Sequence, residues 1–197
     1  MASRVLLLRH PSVGAEYRDR LNGRDDLVLA QGHEQETQSL LRLLQAQACR
    51  AIITSPLRQC SEPAGQLAKS MQLLLETDEA LAEVDFGAWK GQLSSEVEAS
   101  DPENARRFRQ WDPTFAFPGG ESIQSFYNRI VEVTHRICDR PEETIAVMSH
   151  GGVIQQMICH LLGLSPRQYL LFDVECGKLT LLNVFGYRGV LIGLNQG

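Results

Sequence analysis

The sequence predicts an α/β fold, a three-layer sandwich with a mainly parallel central sheet flanked by helices. Three short apolar runs (residues 5–8, 51–53 and 145–148) show no polar alternation, as expected of strands covered on both faces. Between them lie longer stretches whose apolar residues recur at helical spacing. Strand, helix, strand, helix in that order builds a parallel sheet with helical layers.

After the first strand, Leu40, Leu41, Leu43 and Leu44 form one face of a helix over about 31–47. The strand at 51–53 leads to Pro56, after which a second helix is predicted through about 67. Ile123, Phe126, Ile130, Val133 and Ile137 step by three and four, the stripe of an amphipathic helix. Beyond the third strand, Val153, Ile154, Met157, Ile158, Leu161 and Leu162 mark another helix, with Gly163 placed to end it. Residues 179–184 and 190–194, parted by Gly186 and Gly189, read as a closing hairpin at a sheet edge. The stretch from about 85 to 120 is more polar and holds Trp89, Trp111 and three prolines. It is read as a helical insertion or lid within a single domain, 1–197. Both tryptophans are placed in packing, with stacking on a ring-bearing substrate as the alternative.

A net charge of −5, with 43% apolar and 22% charged residues, describes an ordinary globular chain and argues against a nucleic-acid or acidic-lipid surface. No apolar run approaches the roughly 18–20 residues that span a bilayer, and the first residues lack the pattern of a secretory leader. Five scattered cysteines without a CxxC predict reduced thiols in a cytoplasmic protein, not a disulfide framework or a zinc site. His33, His135 and His160 fall within helical stretches and are read as surface or packing residues. The basic run Arg106, Arg107 and Arg109 is read as a solvated helix face.

Each predicted parallel strand ends in a polar cluster: Arg9-His10, then Thr54-Ser55-Pro56-Leu57-Arg58, then Ser149-His150-Gly151-Gly152. Ligands of open α/β sheets sit beyond the carboxyl ends of the strands, so the three clusters are expected at one rim. Guanidinium forks and free N–H groups at a helix N-terminus suit an anion, above all a phosphoryl group. No GxxxxGK[ST] loop is present, which argues against a P-loop nucleotide site.

The segments ending in Leu8-Arg9-His10 and in Ser149-His150-Gly151-Gly152 resemble the two signature segments of the histidine phosphatase (phosphoglycerate mutase-like) superfamily. Thr54 to Cys60 resembles its second arginine segment, and residues 83–91 (EVDFGAWKG) its acid-bearing segment. Pro118-Gly119-Gly120-Glu121-Ser122 is similar to the segment preceding its long helix. The resemblance implies a phosphomonoester hydrolase acting on a small phosphorylated metabolite without metal or cofactor. By that resemblance His10 is the nucleophile that becomes a phosphohistidine, Arg9, Arg58 and His150 grip the phosphoryl oxygens, and Glu83 is the general acid and base. Asn22, Arg24 and Gly151 are the expected substrate contacts. Two other activities fit the same segments: a cofactor-dependent phosphoglycerate mutase, or a non-catalytic relative that binds phosphorylated ligands. Oligomeric state, a homodimer included, is left open.

Pro11, Val13 and Glu16 depart from the family pattern, and Asn22 stands where glutamine is common. Glu16 would repel a phosphate, so its loop is expected to turn away. The Arg-His-Pro variant, followed by Asn22-Gly23-Arg24-Asp25-Asp26, is similar to α-ribazole phosphatase-type members, which implies α-ribazole 5′-phosphate as substrate.

Overall fold

The computed structural model describes residues 1–197. Six strands form one sheet: β1 (Arg4–Arg9), β2 (Ala51–Thr54), β3 (Leu74–Thr77), β4 (Thr144–Ser149), β5 (Leu179–Phe185) and β6 (Arg188–Gln196). Their order is β3-β2-β4-β1-β5-β6. The first four pair in parallel, and β5 runs antiparallel to both β1 and β6. Helices α1 (His33–Ala46) and α2 (Arg58–Met71) cover one face, and α5 (Ile123–Cys138) and α6 (Gly151–Leu162) the other. The mainly parallel, helix-flanked sheet is therefore present.

The doubly covered sheet follows from its strand sequences. Val5 and Leu7 point into the layer holding Ile130, Val133 and Ile154, while Leu6 and Leu8 point into the layer holding Leu40, Leu44 and Leu67. Every residue of β4 is buried. The stripe on α5 packs as its spacing requires, and each such side chain contributes on the order of 1.5–3 kcal/mol relative to exposure. Gly163 ends α6 in the left-handed region at φ +72°.

One strand is not legible in the sequence. α2 continues to Met71 rather than to about 67, and β3 follows almost at once. The helix stops at Gln72, left-handed at φ +55°, without the glycine that normally signals such a stop. As a largely exposed edge strand, β3 also lacks a buried apolar run.

Between β3 and α5 lie two short helices, α3 (Ser94–Ser100) and α4 (Pro102–Arg109). The arginines of α4 are paired at the surface, Arg106 with Glu103, Arg107 with Asp112 and Arg109 with Glu98. Two loops frame this segment and meet backbone to backbone. Ala88 N–H donates to Pro118 O at 2.7 Å and Glu121 N–H to Asp85 O at 3.0 Å. A Cβ at Gly120 would run into Asp85 O and lie 2.6 Å from Gly87 N, so only glycine allows this approach. Forcing the loops apart costs on the order of 2 kcal/mol, so Gly120→Ala lowers Tm by roughly 4–8 °C in a thermal melt. An unchanged Tm would mean that the junction is not a support of the fold.

Candidate active site

The parallel β1–β4 ladder pairs Arg9 with Ser149, and His10 N–H donates to Ser149 O at 3.0 Å. His10 and His150 therefore leave the sheet side by side, with ring centroids 5.4 Å apart and planes inclined by 60°. They line a cavity of about 460 Å³ together with Arg9, Gln59, Glu83 and Gly151.

Both imidazoles are buried. Nδ1 of His10 lies 2.8 Å from Pro11 O, which accepts only if Nδ1 carries the proton. Nε2 is then the unprotonated nitrogen. Desolvation, with a smaller contribution from the Arg9 charge, lowers the His10 pKa to about 4 against the Pro11 bond. The ring is neutral at pH 7. His150 is held well below the usual imidazole range, first by burial and then by His10 and Arg9. Its Nε2 lies 2.8 Å from Ser55 Oγ, and Cys60 Sγ packs at 3.6 Å from the same atom.

Arg9 donates from Nη1 to Val174 O at 2.5 Å, while its Nε is buried without an acceptor. Its guanidinium lies against Gly151, where an added Cβ would come within 3.4 Å of Cζ. An orphaned buried donor beside two imidazoles and a helix N-terminus is suited to an oxyanion.

Glu83 enters from the loop after β3. Its carboxylate accepts from Gly152 N–H at 3.1 Å and from its neighbour Val84 N–H at 3.0 Å. Desolvation nonetheless raises its pKa above the usual carboxylate value, against these bonds and the charges of Arg129 and Arg9. Arg129 of α5, absent from the sequence reading, braces this loop. It donates to the carbonyls of Ala80, Ala82 and Glu83 and forks onto both oxygens of Glu121.

Two expected contacts lie elsewhere. Arg58 does not enter the cavity: its exposed side chain pairs with Glu62 at 2.6 Å. Gln59 lines the cavity in its place, with Oε1 accepting from Leu27 N–H and Nε2 donating to Asp25 O. The reason is helical phase. Gln59, Cys60, Pro63, Ala64, Leu67 and Ala68 form the buried stripe of α2, and Arg58 and Glu62 fall on the next row outward. Arg24 is also outside the cavity, donating to Glu83 O and pairing with Glu121 at 3.5 Å, so it braces the Glu83 loop. Asn22 lines the cavity, but its Nδ2 is committed to Tyr17 O at 2.7 Å. Glu16 is exposed and points away, as its charge requires. Arg18 and Arg20 line the rim from the same loop.

Residues 5–197 match the model of the histidine phosphatase superfamily (branch 1). The chain belongs to this superfamily. Histidine phosphatases similar to it include phosphoserine phosphatase 1 of Hydrogenobacter thermophilus, 27% identical over 98% of this chain and 92% of the relative. The adenosylcobalamin/alpha-ribazole phosphatase of Escherichia coli is 25% identical over 92% of this chain and 90% of its own. The crystal structure of the alpha-ribazole phosphatase from Shigella flexneri superposes with a TM-score of 0.85 at 24% identity, covering 98% of this chain and 96% of that one. Among histidine phosphatases this chain is thus a phosphatase with an arginine, two neutral histidines and a glutamine around its cavity.

Two measurements check this geometry. Nitrogen-15 imidazole NMR at pH 7 shows His10 neutral with its proton on Nδ1, and lowering the pH protonates it only near 4; titration near 6.5 would contradict the buried setting. Because folding lowers this pKa, the associated stability is complete above about pH 6.5 and is lost as pH falls from there toward about 4. Arg58→Ala, which removes an exposed ion pair, changes the affinity for inorganic phosphate by less than about threefold. A loss of tenfold or more would return that guanidinium to the site.

Proposed function

We propose that this histidine phosphatase hydrolyses the phosphomonoester of a small metabolite through a phosphohistidine on His10. The observation that carries the reading is the Nδ1–H···O=C bond from His10 to Pro11. It leaves an unprotonated Nε2 in a cavity that also holds the Glu83 carboxyl. A nucleophile with its lone pair free at neutral pH needs no separate base.

In this mechanism Nε2 attacks phosphorus in line as the ester oxygen leaves. Arg9, through its orphaned Nε, takes the charge that develops on the non-bridging oxygens, with His150 and the Gly151 N–H beside it. Gln59 adds a neutral amide where a second cation had been expected. Glu83, its pKa raised by desolvation, holds the proton an alkoxide needs and afterwards takes one from the water that attacks the phosphohistidine.

α-Ribazole 5′-phosphate is the proposed substrate. Its support is the Arg-His-Pro segment, together with a relative named for that activity. Relatives named for phosphoserine leave the metabolite to be tested directly. Five cysteines without a disulfide and no helix long and apolar enough to cross a membrane fit a cytoplasmic setting.

The test joins two variants. His10→Ala abolishes phosphate release, and acid quenching of the unaltered chain with labelled ester traps a label that is acid-labile and base-stable. Glu83→Gln slows alkyl esters by roughly 10²–10⁴, and aryl phosphates, whose leaving groups need no proton, far less. Equal losses on both would remove Glu83 from the acid role. Isomerisation of 3-phosphoglycerate in place of hydrolysis would overturn the reading.

A further inference from the structure

A second cavity, of about 190 Å³, adjoins the first and shares Glu83, Phe86, Gly152 and Gln155 with it. Its walls are of a different chemistry. Phe108 and Trp111 come from the segment between the two framing loops, Phe117 from the second of those loops, and Phe126 from α5. Trp111 stacks at a tilt on Tyr169, with centroids 5.1 Å apart, and Phe108 meets Phe117 edge to face at 5.1 Å. Trp111 also holds a left-handed backbone, φ +50°, which is strained for a residue with a bulky side chain. Glu83 is the one carboxylate on the walls, and no cation faces the space.

One polar atom there lacks a partner. Gln156 of α6 is fully buried, and its Nε2 donates to Pro166 O at 3.1 Å, which sets the orientation of the amide. Its Oε1 is thereby an acceptor that no donor in the fold satisfies, on a residue lining this cavity. A buried, unmet acceptor among aromatic walls is costly unless a ligand supplies the donor.

From this arrangement we infer that the second cavity is the leaving-group subsite, and that it takes a flat, largely apolar ring carrying one N–H or O–H donor directed at Gln156 Oε1. The inference rests on the hydrolase reading only for the location of the phosphoryl group. Glu83, common to both cavities, marks where the ester oxygen crosses from one to the other. Carboxylate-bearing and zwitterionic alcohols are disfavoured: the subsite offers them no cation and mostly apolar walls, which penalise an unpaired charge. The substrate class is therefore the phosphate monoester of a ring-bearing alcohol, not of a hydroxy acid or an amino acid.

Three alkyl esters with leaving groups of nearly equal basicity test this: ethyl phosphate, 2-(1-naphthyl)ethyl phosphate and 2-(indol-3-yl)ethyl phosphate. Burying one aromatic ring raises kcat/KM by roughly 10²-fold over ethyl phosphate. The indole ester exceeds the naphthyl ester by about three- to tenfold, because only its N–H meets Gln156. Gln156→Met brings those two rates together, and Phe108→Ala narrows the gap between aromatic and ethyl esters. Dissociation constants for the same esters, measured calorimetrically on His10→Ala, follow the same order without turnover. Equal binding of all three overturns the subsite, whatever the rates. Preferential binding of the aromatic esters with no hydrolysis by the unaltered chain overturns the catalytic reading and leaves the subsite standing. Phosphoserine or 3-phosphoglycerate outperforming the indole ester would overturn the assigned substrate class.

Discussion

Arg9 sits opposite Ser149 in the parallel ladder between β1 and β4, and the site is built outward from that pairing. Because both strands run the same way and end at one level, two histidines 140 residues apart in the chain emerge as neighbours. A slip of β1 by one residue against β4 would exchange the two faces of β1 and send Leu7 out of the layer it shares with Val147, α5 and α6. The core therefore enforces the register, and the register places the imidazoles.

Burial then sets the chemistry. An imidazolium at either position would lack water and stand beside the Arg9 charge, so both rings stay neutral. The same desolvation acts in the opposite sense on Glu83, where it favours the protonated acid. One dry environment thus keeps the imidazoles neutral and shifts the carboxyl toward its neutral form in the same cavity. Arg129 holds the Glu83 loop by its carbonyls, so the position of the Glu83 carboxyl depends on α5.

The correction at Arg58 shows where reading by residue type fails. Arginine was expected in the cavity because its charge suits phosphate, yet the α2 stripe turns Gln59 inward and Arg58 toward Glu62. Apolar packing of Cys60, Ala64 and Leu67 fixes the rotation of the helix, and no gain from one cation would offset turning that face out. Arg24 was misplaced for a related cause. Its loop folds back on the Glu83 segment, and a contact that long-range has no signature in local spacing.

Local chemistry wrote the parallel strands, the amphipathic helices and the residues at the strand ends into the sequence, because apolar period and glycine or proline punctuation act over a few residues. From these, Arg9, His10, His150 and Gly151 could be placed at one rim before any coordinates, while Glu83 was named only by the resemblance of residues 83–91 to the acid-bearing segment of the superfamily. Edge strand β3, the exchange of Arg58 for Gln59, the Arg129 brace and the unmet Gln156 acceptor depend on which surfaces meet across the fold. Such meetings are settled by packing between segments far apart along the chain, where rotation of a helix by a single residue replaces a charged group with an amide.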